Sequence, residues 1–449
     1  MQTINHISHY FIALALLSAM SGSMFAQELG YSGVSPVNNS FGGVAVAAPI
    51  DGTAAIYWNP ATLCAFNKRE FQFGFGRTNP PFYGDESLAY TVLIPAVAIL
   101  WLYSVANDSK DDDYWERNRN NSSYNKYDDM PKKEPEPVEH DSSPELPTVR
   151  GFHISYVNKT DSNSHWNYGF AMTEMGQRKQ RFLLNPTTGE VEGVQIYRVK
   201  TIEFTPAVSW WNKRNLSFGI SPILSVDEFP NASLPASGDY TFLGDKRGHV
   251  GLGLQLGMFY AAKSDFNFGF SVKSPSWIPR QTYRWENTGD GSLRVRRSDF
   301  SQDTPLRFAF GASYTGFKKA LIAADVRHYD FGHVHSFYDF SSNGKRRTAT
   351  SLGIGVQYHI LPGVMLRAGY QFTDANCNSF DDLVFNTTLP IQSGHSTHYG
   401  LSFGDLDSWD MTFSGSHSFG NQTIHLADGR KLNANPNGST FWWGLRFRF

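Results

Sequence analysis

Two stretches near the C-terminal end place a serine beside a histidine, the pairing used for nucleophilic catalysis: Gly394-His-Ser-Thr-His398 and Ser416-His-Ser-Phe-Gly420. Neither has the Gly-x-Ser-x-Gly pattern that exposes a serine on a sharp strand-to-helix turn. Both lie in segments with the pattern of strands, where neighbouring side chains point to opposite faces. We therefore predict that the protein is not an enzyme.

Metal and cofactor chemistry has little support in the sequence. Cys64 and Cys377 are the two cysteines, and no Cys/His cluster has the spacing of a metal site. A disulfide between them stays open, because spacing alone cannot decide it. We favour two unpaired thiols and expect no metal and no cofactor.

Seven charged residues fall on the polar face of alternating segments, and an arginine there could bind a carboxylate with two parallel hydrogen bonds. Arg307, Arg327 and Arg367 are the candidates for binding a ligand headgroup. The alternative, which we favour, is that these charges pair with one another or with a plug inside the fold. The seven residues are Arg307, Asp325, Arg327, Arg367, Asp410, Arg446 and Arg448.

The elements that carry these residues alternate with a period of two. Phe71, Phe73 and Phe75 alternate with Gln72, Gly74 and Gly76, and the pattern recurs to the last residue. Aromatic residues make up 15% of the chain and charged residues only 18%, while the mean hydropathy is −0.37. Aromatic-rich strands near ten residues long are typical of barrels that cross a bilayer.

Short and long connections alternate along the chain. Six short links, such as Trp211–Asn215 and Gly404–Ser408, and seven long links, such as 78–149 and 175–198, join fourteen strands. We predict an all-β fold, a 14-stranded antiparallel transmembrane β-barrel over residues 68–449. Short turns belong to the periplasmic side, which would put both termini in the periplasm.

The N-terminal 26 residues read as a secretory signal peptide, with an apolar run at Tyr10–Leu17 and small residues ending at Ala26. A long insert at 85–148 follows the first strand. It contains the apolar run Leu88–Val105 and a charged, Pro-rich part, Lys110–Leu146, with the composition of disorder. We expect a partly disordered extracellular insert. For the apolar run we favour a loop helix or strand extension that gathers apolar ligands; the alternative is a loop packed over the barrel mouth.

Residues 27–67 lack the alternation and contain Ser40-Phe-Gly-Gly-Val-Ala-Val-Ala-Ala-Pro-Ile-Asp-Gly-Thr-Ala-Ala-Ile-Tyr-Trp-Asn-Pro-Ala61. This segment resembles the N-terminal hatch of the long-chain fatty-acid transporter family of outer-membrane proteins (FadL/TodX). The shared positions are Gly42, Gly43, Asp51, Asn59, Pro60 and Ala61. Later hairpins, such as Thr304–Tyr314 with Ala320–Arg327, are similar too, and the resemblance covers about 27–449 without the insert.

The resemblance implies a hatch at 27–67, inside the lumen, that gates the passive uptake of hydrophobic small molecules. It also implies a sideways exit at the third strand, carried over here to Phe170, Met172, Glu174 and Gly176; Met175 stands where the family has a proline. For the hatch residues, tight turns and backbone capping are the plain structural alternative.

The leading hypothesis is uptake of long-chain fatty acids or other apolar compounds across the outer membrane of a Gram-negative cell. The alternative is a platform that binds a protein partner for secretion or surface attachment; a general porin comes third. Expected partners are a hydrophobic small-molecule ligand, outer-membrane lipid and lipopolysaccharide, and the barrel-assembly machinery. The net charge of −2 argues against nucleic acid, and we expect a monomer.

Overall fold

The computed structural model describes residues 33–79, 149–159, 164–184, 191–228, 240–243, 249–262, 265–277, 281–287, 296–300, 304–330, 348–374, 394–419, 422–425, 431–434 and 438–449. All of them belong to one compact unit of the chain. The predicted signal peptide, residues 27–32 of the predicted hatch, the predicted insert at 85–148 and Cys377 lie outside the described residues.

Fourteen antiparallel strands close into one barrel, as the alternation predicted. Each strand pairs with its neighbours in sequence, and the last strand pairs with the first, so the sheet has no free edge. The strands are β1 Glu70–Asn79, β2 Val149–Asn158, β3 Trp166–Leu184, β4 Val191–Trp211, β5 Leu216–Glu228, β6 His249–Ala261, β7 Phe266–Lys273, β8 Leu306–Tyr314, β9 Ala320–Asp330, β10 Thr348–Leu361, β11 Val364–Asp374, β12 Gly394–Phe403, β13 Trp409–Phe419 and β14 Gly438–Arg448.

The two faces of the barrel wall differ as the period of two requires. Along β10, Leu352, Ile354 and Val356 point outward and are 41%, 43% and 40% exposed, whereas Ser351 and Gly353 point inward and are buried. A surface of large apolar side chains around a barrel is the surface expected against lipid. The seven predicted polar-face charges lie on inward positions, and Arg448 is the least buried of them.

Short turns join the strands at the end of the barrel where β1 begins. In the β4–β5 turn, Oδ1 of Asn212 accepts hydrogen bonds from the N–H groups of Arg214, Asn215 and Leu216. In the β12–β13 turn, the hydroxyl of Ser408 and the N–H of Asp407 lower the pKa of the Asp405 carboxyl by hydrogen bonding to it. These contacts show the usual turn chemistry of Asn and Asp.

One of the predicted long loops between strands was wrong. The segment 175–198 was expected to be a loop, but β3 continues to Leu184 and β4 begins at Val191, with pairing along this length. Apart from the barrel, Tyr240–Leu243, Gln281–Asn287 and Arg296–Phe300 form a three-stranded sheet. Gln422–His425 and Lys431–Ala434 form a two-stranded one.

Residues 33–67, here called the plug, fold into two short helices and a 3₁₀ turn. Helix α1 is Pro36–Ser40, α2 is Gly52–Trp58, and the 3₁₀ turn is Pro60–Ala65. The plug is almost wholly buried and contacts strands around the circumference of the barrel, from β1 to β14. No helix among the described residues has the length and apolar character to span a bilayer.

Candidate functional site

Helix α1 starts at a serine cap that also organises the plug interior. Oγ of Ser35 accepts a hydrogen bond from the N–H of Asn38 at 3.0 Å and donates one to Oδ2 of Asp51 at 2.8 Å. Oδ1 of Asn38 accepts from Nε1 of Trp58 at 3.0 Å. One short network therefore holds both helices of the plug together.

Asp51, predicted as a hatch residue, caps α2. Its Oδ1 accepts from the N–H of Ala54 at 2.9 Å and from Nε2 of Gln72 on β1 at 2.6 Å. The carboxylate thus satisfies a free amide of the helix N-terminus and ties the helix to the wall. These contacts of Asp51 fit the capping alternative, and the same carboxylate also joins the plug to strand β1.

Gly42 and Gly43 form a turn with φ of 72° and 73°, in the left-handed region that favours glycine. The turn lies against a cross-strand pair of wall glycines, Gly355 and Gly369. A Cβ added to Gly369 would stand 2.2 Å from the backbone nitrogen of Gly42. Backbone here packs directly on backbone, which only glycine allows.

Asn59-Pro60-Ala61 joins α2 to the 3₁₀ turn and anchors it to the wall. Nδ2 of Asn59 donates to the carbonyl oxygens of Val46 at 2.8 Å and of Met258 on β6 at 3.0 Å, while Oδ1 accepts from the N–H of Ala61. Ala61 is fully buried against Gly219. The three residues thus fix the plug to β5 and β6.

Inward charges of β8 and β9 bind plug backbone. Oδ2 of Asp325 accepts from the N–H groups of Ala45 and Val46 at 2.7 and 3.0 Å. Arg327 donates to the carbonyl of Gly43 and its guanidinium lies 3.7 Å from the ring centre of Trp58. Arg307 donates to the carbonyl of Tyr57 at 2.8 Å.

A second group of charges lies where the barrel closes. Arg446 pairs with Asp410 at 2.9 Å and donates to the carbonyl of Ile50 at 2.7 Å, while Glu70 accepts from the N–H of Gly52 at 2.7 Å. Arg448 lies 3.0 Å from Asp410 and 3.4 Å from Glu70. The plug therefore docks on the seam between the first and last strands.

Arg367 differs from the other two candidate headgroup arginines, since its contacts lie within the wall. Its Nε donates to Gln357 at 2.8 Å and one terminal nitrogen donates to Ser402 at 2.6 Å. The partners of Arg367 are uncharged wall residues, whereas the plug contacts of Arg307 and Arg327 fit the pairing alternative. Headgroup binding by the three arginines stays a prediction. A further buried pair, Lys273 with Glu203 at 2.8 Å, was not predicted from the sequence.

Cys64 is a buried free thiol in the 3₁₀ turn, packed in an apolar cluster with Ala61 and Phe259. Burial raises the pKa of its thiol. The neutral thiol is therefore the stable form inside the barrel.

Pairing between β2 and β3 stops early. The register runs from Asn158↔Tyr168 to His153↔Thr173 and ends, although β2 continues to Val149 along β1 and β3 continues along β4. Beyond the pair His153↔Thr173, towards Val149 on β2 and Glu174 on β3, the described parts of the two strands are therefore not paired in a ladder. This unpaired stretch, here called the wall gap, lies between residues 149–152 of β2 and 174–177 of β3. It is at the C-terminal end of the predicted exit segment.

The predicted exit residues Phe170 and Met172 lie on the outward side of β3, where Phe170 contacts the rings of Tyr156 and Phe204. Glu174 shares their strand face, and Gly176 pairs with Lys200. The inward side of β3 carries Gly169, Ala171 and Thr173, which the prediction did not name. Their role at an exit stays a prediction.

The two Ser–His stretches lie on neighbouring strands that face each other, which considering each strand alone did not predict. His398 and Ser416 stand opposite each other on β12 and β13, both inward and buried. Both ring nitrogens of His398 lack a hydrogen-bond partner, so the imidazole does not accept from that serine. The geometry required of a serine nucleophile and its base is missing at this pair.

Comparison with known proteins gives a fold match at very low sequence identity. No family model matches the chain, and no curated protein sequence matches it. Among solved structures, the toluene transporter TodX of P. putida superimposes with a TM-score of 0.59 at 12% identity, covering 93% of this chain and 99% of TodX. A FadL homologue of Pseudomonas aeruginosa gives 0.59 at 12%, covering 95% and 100%.

The toluene transporter TbuX of Ralstonia pickettii gives a TM-score of 0.57 at 13% identity, covering 93% of this chain and 99% of TbuX. These structures share the closed barrel over nearly their whole length. The chain therefore has the fold of FadL-family barrels, in agreement with the resemblance noted in its N-terminal segment.

Proposed function

We propose, from the fold that this chain shares with FadL-family barrels, that the protein takes up hydrophobic small molecules across the outer membrane. The carrying observation is a closed barrel filled by a buried plug, with a break in the wall beside it. Structures of this fold are described as transporters of toluene or as a FadL homologue. Long-chain fatty acids and aromatic hydrocarbons are the candidate substrates.

The plug's polar contacts argue against an open, water-filled pore. Hydrogen bonds join it to β1, β2, β6, β7, β8, β9, β13 and β14. Leaving each of these buried groups without its partner costs about 1–3 kcal/mol. Complete withdrawal of the plug is therefore costly, and a substrate needs a route beside it.

The side of the plug nearest the wall gap offers such a route. There Ala55, Ile56 and Leu63 pack against Val157, Ala171 and Ala207 in an apolar cluster. Apolar contacts can be exchanged for an apolar ligand at little cost, because the ligand keeps the surface away from water. We propose that small plug movements on this side gate the passage, and that the substrate leaves sideways through the gap.

The test is equilibrium binding of a labelled long-chain fatty acid and of labelled toluene to purified protein in detergent. We expect saturable binding of at least one of them and no stable conductance in planar bilayers. A large conductance without ligand binding would indicate a porin instead.

A protein-binding platform is the competing function. The feature that could favour it, the long acidic segment 106–147 of the insert, lies outside the described residues. Recovery of a stoichiometric protein partner from outer membranes, with no binding of apolar ligands, would replace the uptake proposal with the platform.

A further inference from the structure

Three inward polar atoms lie in one row across β14, β1, β2 and β3 without hydrogen-bond partners. They are Nε1 of Trp442, Nε2 of His153 and Oγ1 of Thr173. The side chains are 2%, 1% and 2% exposed, so bulk solvent does not reach them. Buried polar atoms are nearly always hydrogen-bonded, and several orphaned together require an explanation.

The row is built by the wall itself. Two glycines of β1, Gly74 and Gly76, leave room for the rings of His153 and Trp442, whose centres are 6.0 Å apart. Thr173 stands directly opposite His153 in the β2–β3 register. Facing residues of antiparallel strands have Cβ atoms about 5 Å apart, so these two side chains are neighbours.

Its position links the row to the wall gap. His153 and Thr173 form the last register pair before β2 and β3 separate. On its other side, Nδ1 of His153 lies 3.0 Å from the hydroxyl of Thr53 in the plug. The row therefore leads from the lumenal side of β14, past the plug, to the end of the β2–β3 register.

The chemistry of the row selects a neutral partner. Indole N–H is a donor only, a hydroxyl both donates and accepts, and the imidazole nitrogen does one or the other according to its tautomer. The indole and the hydroxyl carry no charge, and burial disfavours the charged form of an imidazole. The charged group that acts on His153 is the Asp51 carboxylate, which would repel an anion.

Resting on the proposed uptake function, we propose that Trp442, His153 and Thr173 form a specificity site for apolar molecules that carry one neutral hydrogen-bonding group, such as a hydroxyl or carbonyl. The polar group fills the orphaned hydrogen bonds while the apolar body lies along the plug. Toluene and other pure hydrocarbons leave them unfilled, and the carboxylate of a fatty acid meets Asp51 without a compensating cation in the row. Such candidate substrates of the barrel therefore bind without the added preference that the row gives to neutral polar ligands.

The experiment compares 1-naphthol, naphthalene and 1-naphthoate as probes, by competition or fluorescence, on the full-length protein in detergent. Wild type should bind 1-naphthol about tenfold more tightly than naphthalene, the value of one or two added hydrogen bonds. It should also bind 1-naphthol more tightly than 1-naphthoate.

Two conservative variants remove single polar atoms. Trp442→Phe removes the indole N–H and Thr173→Val replaces the hydroxyl by a methyl; each should reduce the preference for 1-naphthol several-fold and leave naphthalene binding almost unchanged. Trp443→Phe is the matched control, since Trp443 is the next residue on β14 and points outward against Phe75. Folding of each variant is checked by heat-dependent mobility in electrophoresis.

Equal binding of 1-naphthol and naphthalene by wild type would overturn the specificity site while leaving hydrophobic uptake intact. The site would also be overturned if both variants keep the full preference, or if 1-naphthoate binds most tightly. If none of the three probes binds although fatty acid or toluene does, the specificity site is overturned and uptake stands. If fatty acid and toluene also fail to bind, the uptake function itself is overturned.

Discussion

The side-chain amide of Asn59 donates a hydrogen bond to the carbonyl oxygen of Met258 at 3.0 Å and thereby joins the plug to strand β6. The same nitrogen serves Val46 within the plug. In Asn59→Ala both carbonyl oxygens lose this donor, so we expect the local stability of the plug to fall by about 1–3 kcal/mol.

Hydrogen-exchange mass spectrometry of the segment 44–66 measures this loss as faster amide exchange. Asn215→Ala is the control, because Asn215 lies in the β4–β5 turn and accepts a weak hydrogen bond from Asn212 there. Unchanged exchange in the plug of Asn59→Ala would show that this anchor does not hold it.

The contact between Gly369 and Gly42 should be intolerant of any side chain. Gly369→Ala places a methyl 2.2 Å from the Gly42 nitrogen, so the turn must shift. We expect overpacking to lower stability by about 1–3 kcal/mol and to loosen the plug. Ala368→Val adds volume on the outward face of the same strand and should leave the melting transition of folded barrel, followed by electrophoresis, close to wild type. Equal transitions for all three proteins would refute the close packing.

Cys64 should report on plug position through its reactivity. Because burial raises the pKa of this thiol, its thiolate fraction at a given pH is below that of an exposed cysteine. In a Cys377→Ser background, alkylation at pH 7.5 should be at least tenfold slower in folded than in urea-unfolded protein. Mass spectrometry measures both rates, and equal rates would contradict the burial.

The same shift gives a pH dependence. A group whose pKa is raised by folding stabilises the fold fully below its unfolded pKa, near 8.5, and loses that contribution as pH rises towards the folded value. Wild type should therefore lose more stability between pH 8 and pH 10 than Cys64→Ala does. Urea titrations at both pH values provide the measurement, and identical losses would count against a raised pKa.

A covalent cross-link across the wall gap should block the sideways route. Phe152 and Glu174 would be the next register pair if the β2–β3 ladder continued beyond His153↔Thr173. In a Cys377→Ser background, oxidised Phe152→Cys/Glu174→Cys should take up substrate several-fold more slowly, with recovery after reduction. Tyr156→Cys/Phe170→Cys joins a pair that is already in register and should not slow uptake. Full uptake by the oxidised first variant, with the cross-link verified by mass, would exclude this route.

The alternation of Phe71, Phe73 and Phe75, and of later segments like it, was sufficient to predict the strands, their number and their outward faces. Where alternation stops being informative, the prediction failed. Strands β3 and β4 stay paired through most of the segment 175–198, which was expected to be a loop. A paired hairpin can continue past its neighbouring strands without any change of composition.

Which side chains meet across different strands could not be predicted. The pair Lys273–Glu203, the glycines Gly355 and Gly369 under the plug, and the facing of His398 with Ser416 all depend on register. A shift of one residue would turn each side chain to the other face, and a single sequence does not specify that register. The motif Gly42–Ala61 lies within the plug, but it gave no information on the wall residues that the plug contacts.

Uptake of a labelled apolar substrate by living cells tests the central claim most directly. A deletion strain should take up labelled long-chain fatty acid or toluene more slowly than its parent when the substrate is limiting, and expression of the wild-type chain should restore the initial rate. Equal rates in the parent, the deletion strain and the complemented strain, for both substrates, would contradict hydrophobic uptake as the function of this barrel.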